Sequence, residues 1–305
     1  MKFAIACADG MGDALIMSII AHHLRKQNHP VTVFNSHLPQ FGKYLEPGEY
    51  QSNMQNWAHA LKPFDAIVLQ YEDTPRAREI LALRKTGSTI YVIYTNYRFS
   101  KHGPLQENFD FAVDEQKPMV HNAQKAIEKF FHIKPSLQNS LLPLLPLSHR
   151  NYKKKVLIHP MSANREKNWR PSGFLKIAAK LEKQGFEPVF ILSPQERSEW
   201  PQKINAPLFP NLEALAETVY ESGFLIGNDS GPAHLASYYQ IPHIVICQGR
   251  QMPLWSTGWL APHLLLPPSW IPNMKGIRFR EKHWQNWITV SRVLRQFRTL
   301  YNQYN

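Results

Sequence analysis

Apolar runs and polar loops alternate along this chain in the rhythm of a βα repeat. Residues 3–8 read as a buried strand, Asp9-Gly10-Met11-Gly12-Asp13 as its exit loop, and 14–26 as a helix with Leu15, Ile16, Ile19, Ile20 and Leu24 on its apolar positions. His29-Pro30 breaks the chain, and 31–34 is the next strand. Such an opening predicts a parallel sheet with helices on both faces. Further strands are predicted at 66–70 and 89–94, with a helix over 75–86 between them and another over 119–131. The stretch Leu141-Leu142-Pro143-Leu144-Leu145-Pro146-Leu147 carries prolines too close together for a helix interior or a central strand. It reads as an extended linker.

A second βα set follows the basic run Lys153-Lys154-Lys155. Strands are expected at 156–159, 187–192, 223–226 and 241–247, and helices at 172–185 and 212–221. The 223–226 strand runs into Gly227-Asn228-Asp229-Ser230-Gly231-Pro232-Ala233-His234, a tight turn and the start of a helix. Pro232 suits the first helical turn, with Ser230 or Gly231 as N-cap. The chain thus reads as α/β in two βα-repeating halves with a hinge at 145–153. Ligands in such folds sit at the carboxyl ends of strands, here expected in the cleft between the halves.

Composition narrows the partners. The 305 residues suffice for two domains, and 43% hydrophobic with 12% aromatic content is that of a globular chain. A formal charge of +12 favours anionic partners: nucleotide, nucleic acid, acidic lipid or acidic glycan. Cys7 and Cys247, the only cysteines, lie in separate apolar runs without zinc-type spacing. The first ten residues run straight into a turn rather than forming a signal peptide, and no run approaches the roughly 18 apolar residues of a membrane span. A reducing cytoplasm is expected. From Lys275 to Arg298 seven basic residues accompany one acid, Glu281, while Trp284, Trp287, Ile288, Val290, Leu294, Phe297 and Tyr301 share a broad apolar helical face. That tail reads either as a terminal helix packed on the protein with a solvated basic face or as one that also touches a membrane surface.

Four loops that end predicted strands carry the candidate chemistry. In the first, Gly10 and Gly12 let backbone approach a ligand, and Asp13 is either an N-cap or a carboxylate that takes a proton from an incoming hydroxyl. The second, His159-Pro160-Met161-Ser162-Ala163-Asn164-Arg165-Glu166-Lys167-Asn168-Trp169-Arg170-Pro171, offers Arg165 and Lys167 to a phosphate, or is simply a solvated charge run. The third places Glu196 after Ser193-Pro194-Gln195, where a carboxylate can accept from a ribose diol. The fourth is the Asn228–His234 turn, whose backbone N–H groups at a helix start suit a phosphate, or which is an ordinary βα turn.

Together these residues resemble glycosyltransferase family 9, the bacterial ADP-heptose:lipopolysaccharide heptosyltransferases, whose GT-B fold has two facing Rossmann-like domains. The matching pieces are Gly10–Asp13, His159-Pro160 with Lys167-Asn168-Trp169-Arg170-Pro171, Glu196, Asn228–Ala236, and Gly249 with Pro253-Leu254-Trp255-Ser256-Thr257-Gly258. Met161, where the family often has glycine, and Ser193-Pro194, in place of a glycine-rich turn, depart from it. The resemblance implies an acceptor-binding domain over 1–148, a nucleotide-sugar domain over 149–275, and a basic aromatic helix over 276–305 that packs back on the first domain. It implies Asp13 as general base and Lys167 as a second catalytic group on the donor diphosphate. Gly12, Ser162, Arg165, Glu196 on the ribose, Asp229, Ser230, Gly231, Pro232 and His234 would complete the donor site. The implied reaction is inverting transfer, without metal or cofactor, of heptose from ADP-heptose to a lipopolysaccharide-core or other anionic glycan, with peripheral contact at the inner membrane's cytoplasmic face. A degenerate nucleotide-sugar binder or a GT-B sugar epimerase is the alternative. No nucleic-acid recognition motif accompanies the charge.

Overall fold

The computed structural model describes residues 1–162, 164–249, 252–271 and 279–304. Its chain divides into two compact units, Met1–Pro143 and Leu144–Asn305. The division falls inside the proline-rich stretch, a few residues ahead of the 148/149 boundary expected from sequence.

The first unit holds six parallel strands: β1 (Phe3–Ala6), β2 (Val31–Phe34), β3 (Glu49–Gln51), β4 (Ala66–Tyr71), β5 (Thr89–Tyr94) and β6 (Asp110–Ala112). They lie in the order β3-β2-β1-β4-β5-β6. Strands β1, β2 and β4 are buried along their whole length, which is why their sequences read as continuous apolar runs rather than alternating ones. Helix Met11–Lys26 buries Leu15, Ile16, Ile19, Ile20 and Leu24 as its periodicity predicts, and packs beside helix Met119–Phe131.

The second unit has five parallel strands: β7 (Tyr152–His159), β8 (Glu187–Phe190), β9 (Ser222–Asn228), β10 (His243–Ile246) and β11 (His263–Leu265), ordered β11-β10-β9-β7-β8. In each sheet the strand order reverses once, between β1 and β4 in the first and between β7 and β9 in the second. At such a point adjacent loops leave in opposite directions and open a crevice. Of the four loops that carry the candidate chemistry, three leave β1, β7 and β9, and the one bearing Glu196 follows β8.

Two sequence expectations change. The first helix begins at Met11 rather than Ala14, because the Ala14 N–H already reaches the Gly10 carbonyl at 3.0 Å. Asp13 is therefore the third helical residue and not the N-cap. The short edge strands β3, β6 and β11 were not predicted; three residues each carry too little periodicity to read. Helix Val290–Tyr304 places Val293, Phe297 and Leu300 in the second unit's own core with Phe224, while Trp284 and Ile288 join the same cluster. Phe297 meets Phe224 and Phe186 edge-on at ring separations of 5.2 and 5.0 Å. Arg295 and Arg298 stay exposed, whereas Lys275 and Arg278 lie outside the described residues.

Replacing Phe297 by alanine is expected to cost the second unit about 3–5 kcal/mol in urea unfolding. A change below about 0.5 kcal/mol would mean that the tail is not part of that core.

Candidate functional site

In the first unit the chemistry gathers where β1 and β4 end. Asp13 stands in the first turn of its helix, where an acid is favoured by the helix dipole. Its Oδ1 accepts from Gln70 Nε2 at 2.5 Å, and Gln70 is fully buried at the end of β4. A Cβ on Gly10 would collide with Asp13 Oδ2, so the glycine clears room for the carboxylate. This is the role the structure gives Gly10; Gly12 lies within the helix. Burial pushes the Asp13 carboxyl up to about 6, with Gln70 and Arg76 pulling down and Glu72 pushing up. Arg76 is itself tied down, donating to Glu72 Oε1 at 2.8 Å and to the Cys7 carbonyl. A carboxyl raised to about 6 lies close to the range suited to a proton acceptor at neutral pH.

The second unit organises its loops at the ends of β7 and β9. Helix Gly231–Tyr238 starts at Ser230, in keeping with the sequence, with Pro232 in its first turn. Ser230 makes no side-chain cap; its hydroxyl donates to the Asn228 carbonyl at 3.1 Å. Pro232 has no N–H, and the Ala233 and His234 N–H groups donate to the Ser230 carbonyl at 3.1 and 3.4 Å, so the helix start offers the Gly231 N–H and its dipole without competition from the N-cap side chain. His234 is buried, and its Nδ1 has no partner among the described residues. Burial lowers its pKa, so the ring is neutral near pH 7 and keeps one N–H to donate. Burial raises the Asp229 carboxyl, while the charges of His234 and Lys167 act in the opposite direction. The exposed Lys167 thus shares a field with Asp229 and His234, which is the grouping expected from sequence.

The other predicted residues are already engaged. Arg165 pairs with Glu199 at the surface. Ser162 Oγ lies 2.8 Å from the Asn164 carbonyl and 2.7 Å from Asn168 Oδ1, shaping its own loop. Ala163 of that loop is outside the described residues. Glu196 closes a capping box: its Oε2 accepts from Ser193 N at 2.7 Å, and its own N–H donates to Ser193 Oγ at 3.3 Å. The Ser-x-x-Glu spacing is the sequence signal for such a cap, which the ribose reading of Glu196 passed over.

Sequence reasoning missed the residues that hold the lysine loop. Asn228, fully buried, accepts from Trp169 N at 3.0 Å and donates to the Pro160 carbonyl at 2.5 Å. The Trp169 indole N–H is shared by the carbonyls of Gln285 and Ile288, at 2.9 and 3.1 Å. Gln285 Nε2 donates to the Asn168 carbonyl at 2.5 Å, and Trp284 Nε1 to that of Glu166 at 3.3 Å. Gly173 leaves space for the Trp169 ring, which a Cβ would approach to 2.5 Å. The tail therefore braces the Arg165–Lys167 turn, a link between segments over a hundred residues apart that no local pattern could announce. Burial raises both cysteine thiols well above their ordinary range, so neither supplies a nucleophile. Among the described residues no group of three or more His, Cys, Asp or Glu could hold a metal ion.

The sequence model of Glycosyltransferase family 9 (heptosyltransferase) matches residues 91–251, more than half of the chain. The chain belongs to glycosyltransferase family 9. The matched stretch includes the Lys167 loop and the Asn228–His234 turn; Asp13 lies outside it. Solved structures agree on the fold. The family 9 glycosyltransferase from Veillonella parvula DSM 2008 has a TM-score of 0.70 at 15% identity, covering 99% of this chain and 97% of its own. The Escherichia coli ADP-heptose lipopolysaccharide heptosyltransferase II gives 0.67 at 14%, covering 99% of each chain. The E. coli heptosyltransferase WaaC with ADP gives 0.68 at 13%, covering 98% and 100%. At such identities the likeness establishes the GT-B fold. No curated protein is significantly similar in sequence.

Two measurements test this geometry. Folding favours the protonated form of Asp13, a contribution present in full below about pH 4 and lost as pH rises through about 6. Asp13→Asn in this family 9 chain should therefore raise the first unit's melting temperature by several degrees at pH 8 and leave it unchanged near pH 3.5. Equal shifts at both values would contradict the buried, destabilising charge. Asn228→Ala orphans two buried backbone groups, at a cost of about 2–4 kcal/mol, and should speed amide exchange at Trp169. Unchanged Trp169 protection would show that the loop is held by other means.

Proposed function

We propose that this family 9 glycosyltransferase moves heptose from ADP-heptose to a lipopolysaccharide-core or related anionic glycan. The observation that carries the donor half is the start of helix Gly231–Tyr238. It is uncapped by its serine and stands at the end of β9 beside Asp229 and His234, within the field of Lys167. A helix start and a lysine are suited to a diphosphate. Both stabilise the departing ADP more than the bound donor, because negative charge grows on the leaving oxygen. The oxygen of Glu196 not used in its capping box would take the ribose hydroxyls. Asp229 and the His234 N–H would frame the donor sugar. That two of the similar structures are named for ADP-heptose or ADP adds support.

In the reaction the Asp13 carboxylate takes the proton of an acceptor hydroxyl, whose oxygen bonds to the anomeric carbon. The bond from that carbon to the diphosphate oxygen breaks, and ADP departs with the electron pair. One displacement inverts the anomeric centre. Fixed cationic and N–H groups balance the leaving charge, so the reading requires neither metal nor cofactor. The acceptor is assigned to the first unit because Asp13 lies there. No helix among the described residues is long and apolar enough to cross a membrane. The exposed Arg295 and Arg298 would allow peripheral contact with an anionic surface, on the cytoplasmic side in this reading.

A thermal-shift series with ADP, UDP, GDP and CMP tests the donor. ADP at about a hundred times its dissociation constant should add roughly 2.7 kcal/mol, and Lys167→Ala should weaken that response. Asp13→Ala should keep the ADP shift while lowering transfer by about 10²–10⁴-fold, and EDTA should leave transfer unchanged. Selective response to UDP or GDP would change the donor. ADP binding with no transfer to any glycan would leave a degenerate binder.

A further inference from the structure

We propose that Gln70 is a positioning residue for the reaction, presenting a side-chain N–H to Asp13 that fixes the carboxylate's direction and keeps it ionised. The inference rests on Asp13 acting as the base. Gln70 is fully buried at the end of β4, the neighbour of β1 across the point where strand order reverses. Its Oε1 accepts from the Ala8 backbone N–H at 3.0 Å. That partner can only donate, so the amide cannot turn over without facing one donor with another. Its Nε2 is consequently committed to Asp13 Oδ1, at 2.5 Å. Asp13 Oδ2 lies against Gly10, where any Cβ would collide with it. The carboxylate is located on one side by a donor and on the other by bare backbone.

A glutamine is an informative choice here. A leucine at 70 would fill the buried site but orphan the Ala8 N–H, and a glutamate would satisfy Ala8 yet set a second carboxylate against Asp13. The amide serves both contacts without adding charge. The surroundings require such a donor. Burial raises the Asp13 carboxyl, Glu72 adds repulsion, and the Arg76 guanidinium is shared with Glu72, the Cys7 carbonyl and, at 3.9 Å, Asp9. Cys7 is buried and un-ionised, and His37 turns toward Asp9 with its pKa lowered by burial. Among the described residues, Gln70 is the side chain that donates to the Asp13 carboxylate. Removing the donor should therefore shift the base toward its neutral form.

The test follows Asp13 directly by carboxyl ¹³C titration of the unliganded protein, the resonance being assigned by its loss in Asp13→Asn. Gln70→Met, of similar reach and without a donor, should raise the Asp13 midpoint by about one to two pH units, and Gln70→Glu should raise it further. With ADP-heptose and a lipopolysaccharide-core acceptor, the acid limb of kcat should move up by the same amount. Activity at pH 6.5 should fall at least tenfold and recover in part above pH 8, with KM for the donor unchanged. The ADP thermal shift, which reads the second unit, should be kept. In the wild type, the Gln70 side-chain amide protons should move with the Asp13 midpoint, a readout that needs no variant. An Asp13 midpoint unmoved in folded variants, or Gln70 protons indifferent to it, would overturn the inference. Full transfer by Asp13→Asn would instead sink the base assignment, whatever Gln70 does, so the two failures are distinguishable.

Discussion

A buried backbone N–H or carbonyl must find a partner, and where strands of a parallel sheet part company it loses the one the ladder supplied. Both units meet this constraint with neutral side-chain amides at their strand ends. In the first, Ala8 gives its N–H to Gln70 and its carbonyl receives the Asn35 side chain at 2.8 Å. In the second, Asn228 takes the Trp169 N–H and donates to the Pro160 carbonyl. These amides stitch each functional loop to the neighbouring strand without adding charge. The charges nearby, those of Asp13, Asp229 and Lys167, are not spent on these backbone contacts.

That economy explains what could be read from sequence. Buried strands such as Phe3–Ala6 and Val31–Phe34 announce themselves because both faces are covered, and the helices between them keep their period. The Asn-Asp-Ser-Gly-Pro turn was legible because its residues are the ones a strand-to-helix turn requires. The helix onset at Met11 was less so: Gly10 is a weak N-cap, and the residue that makes it necessary, Asp13, lies three positions on. The brace from Trp284, Gln285 and Ile288 to the lysine loop was not legible at all. It is a long-range contact between an apolar helical face and a loop that reads as solvated charge. The tail's apolar face was legible from its period, and Val293, Phe297 and Leu300 pack in the second unit's core with Phe224.

Glu196 shows how a helix cap can orient a carboxylate. Its Oε2 is held by the Ser193 N–H in a capping box on a helix of only four residues. The bond satisfies a backbone N–H at the start of that helix. It also fixes the direction of the carboxylate, leaving the second oxygen aimed by the cap rather than by a ligand. The same logic governs Asp13, whose Oδ1 is claimed by Gln70 while Oδ2 stands against a glycine. In both places one oxygen is given to the scaffold so that the other is held still. Orientation bought this way costs no flexibility when a substrate arrives, because the ordering was completed during folding. A free carboxylate on a mobile loop would have to surrender that freedom at each turnover.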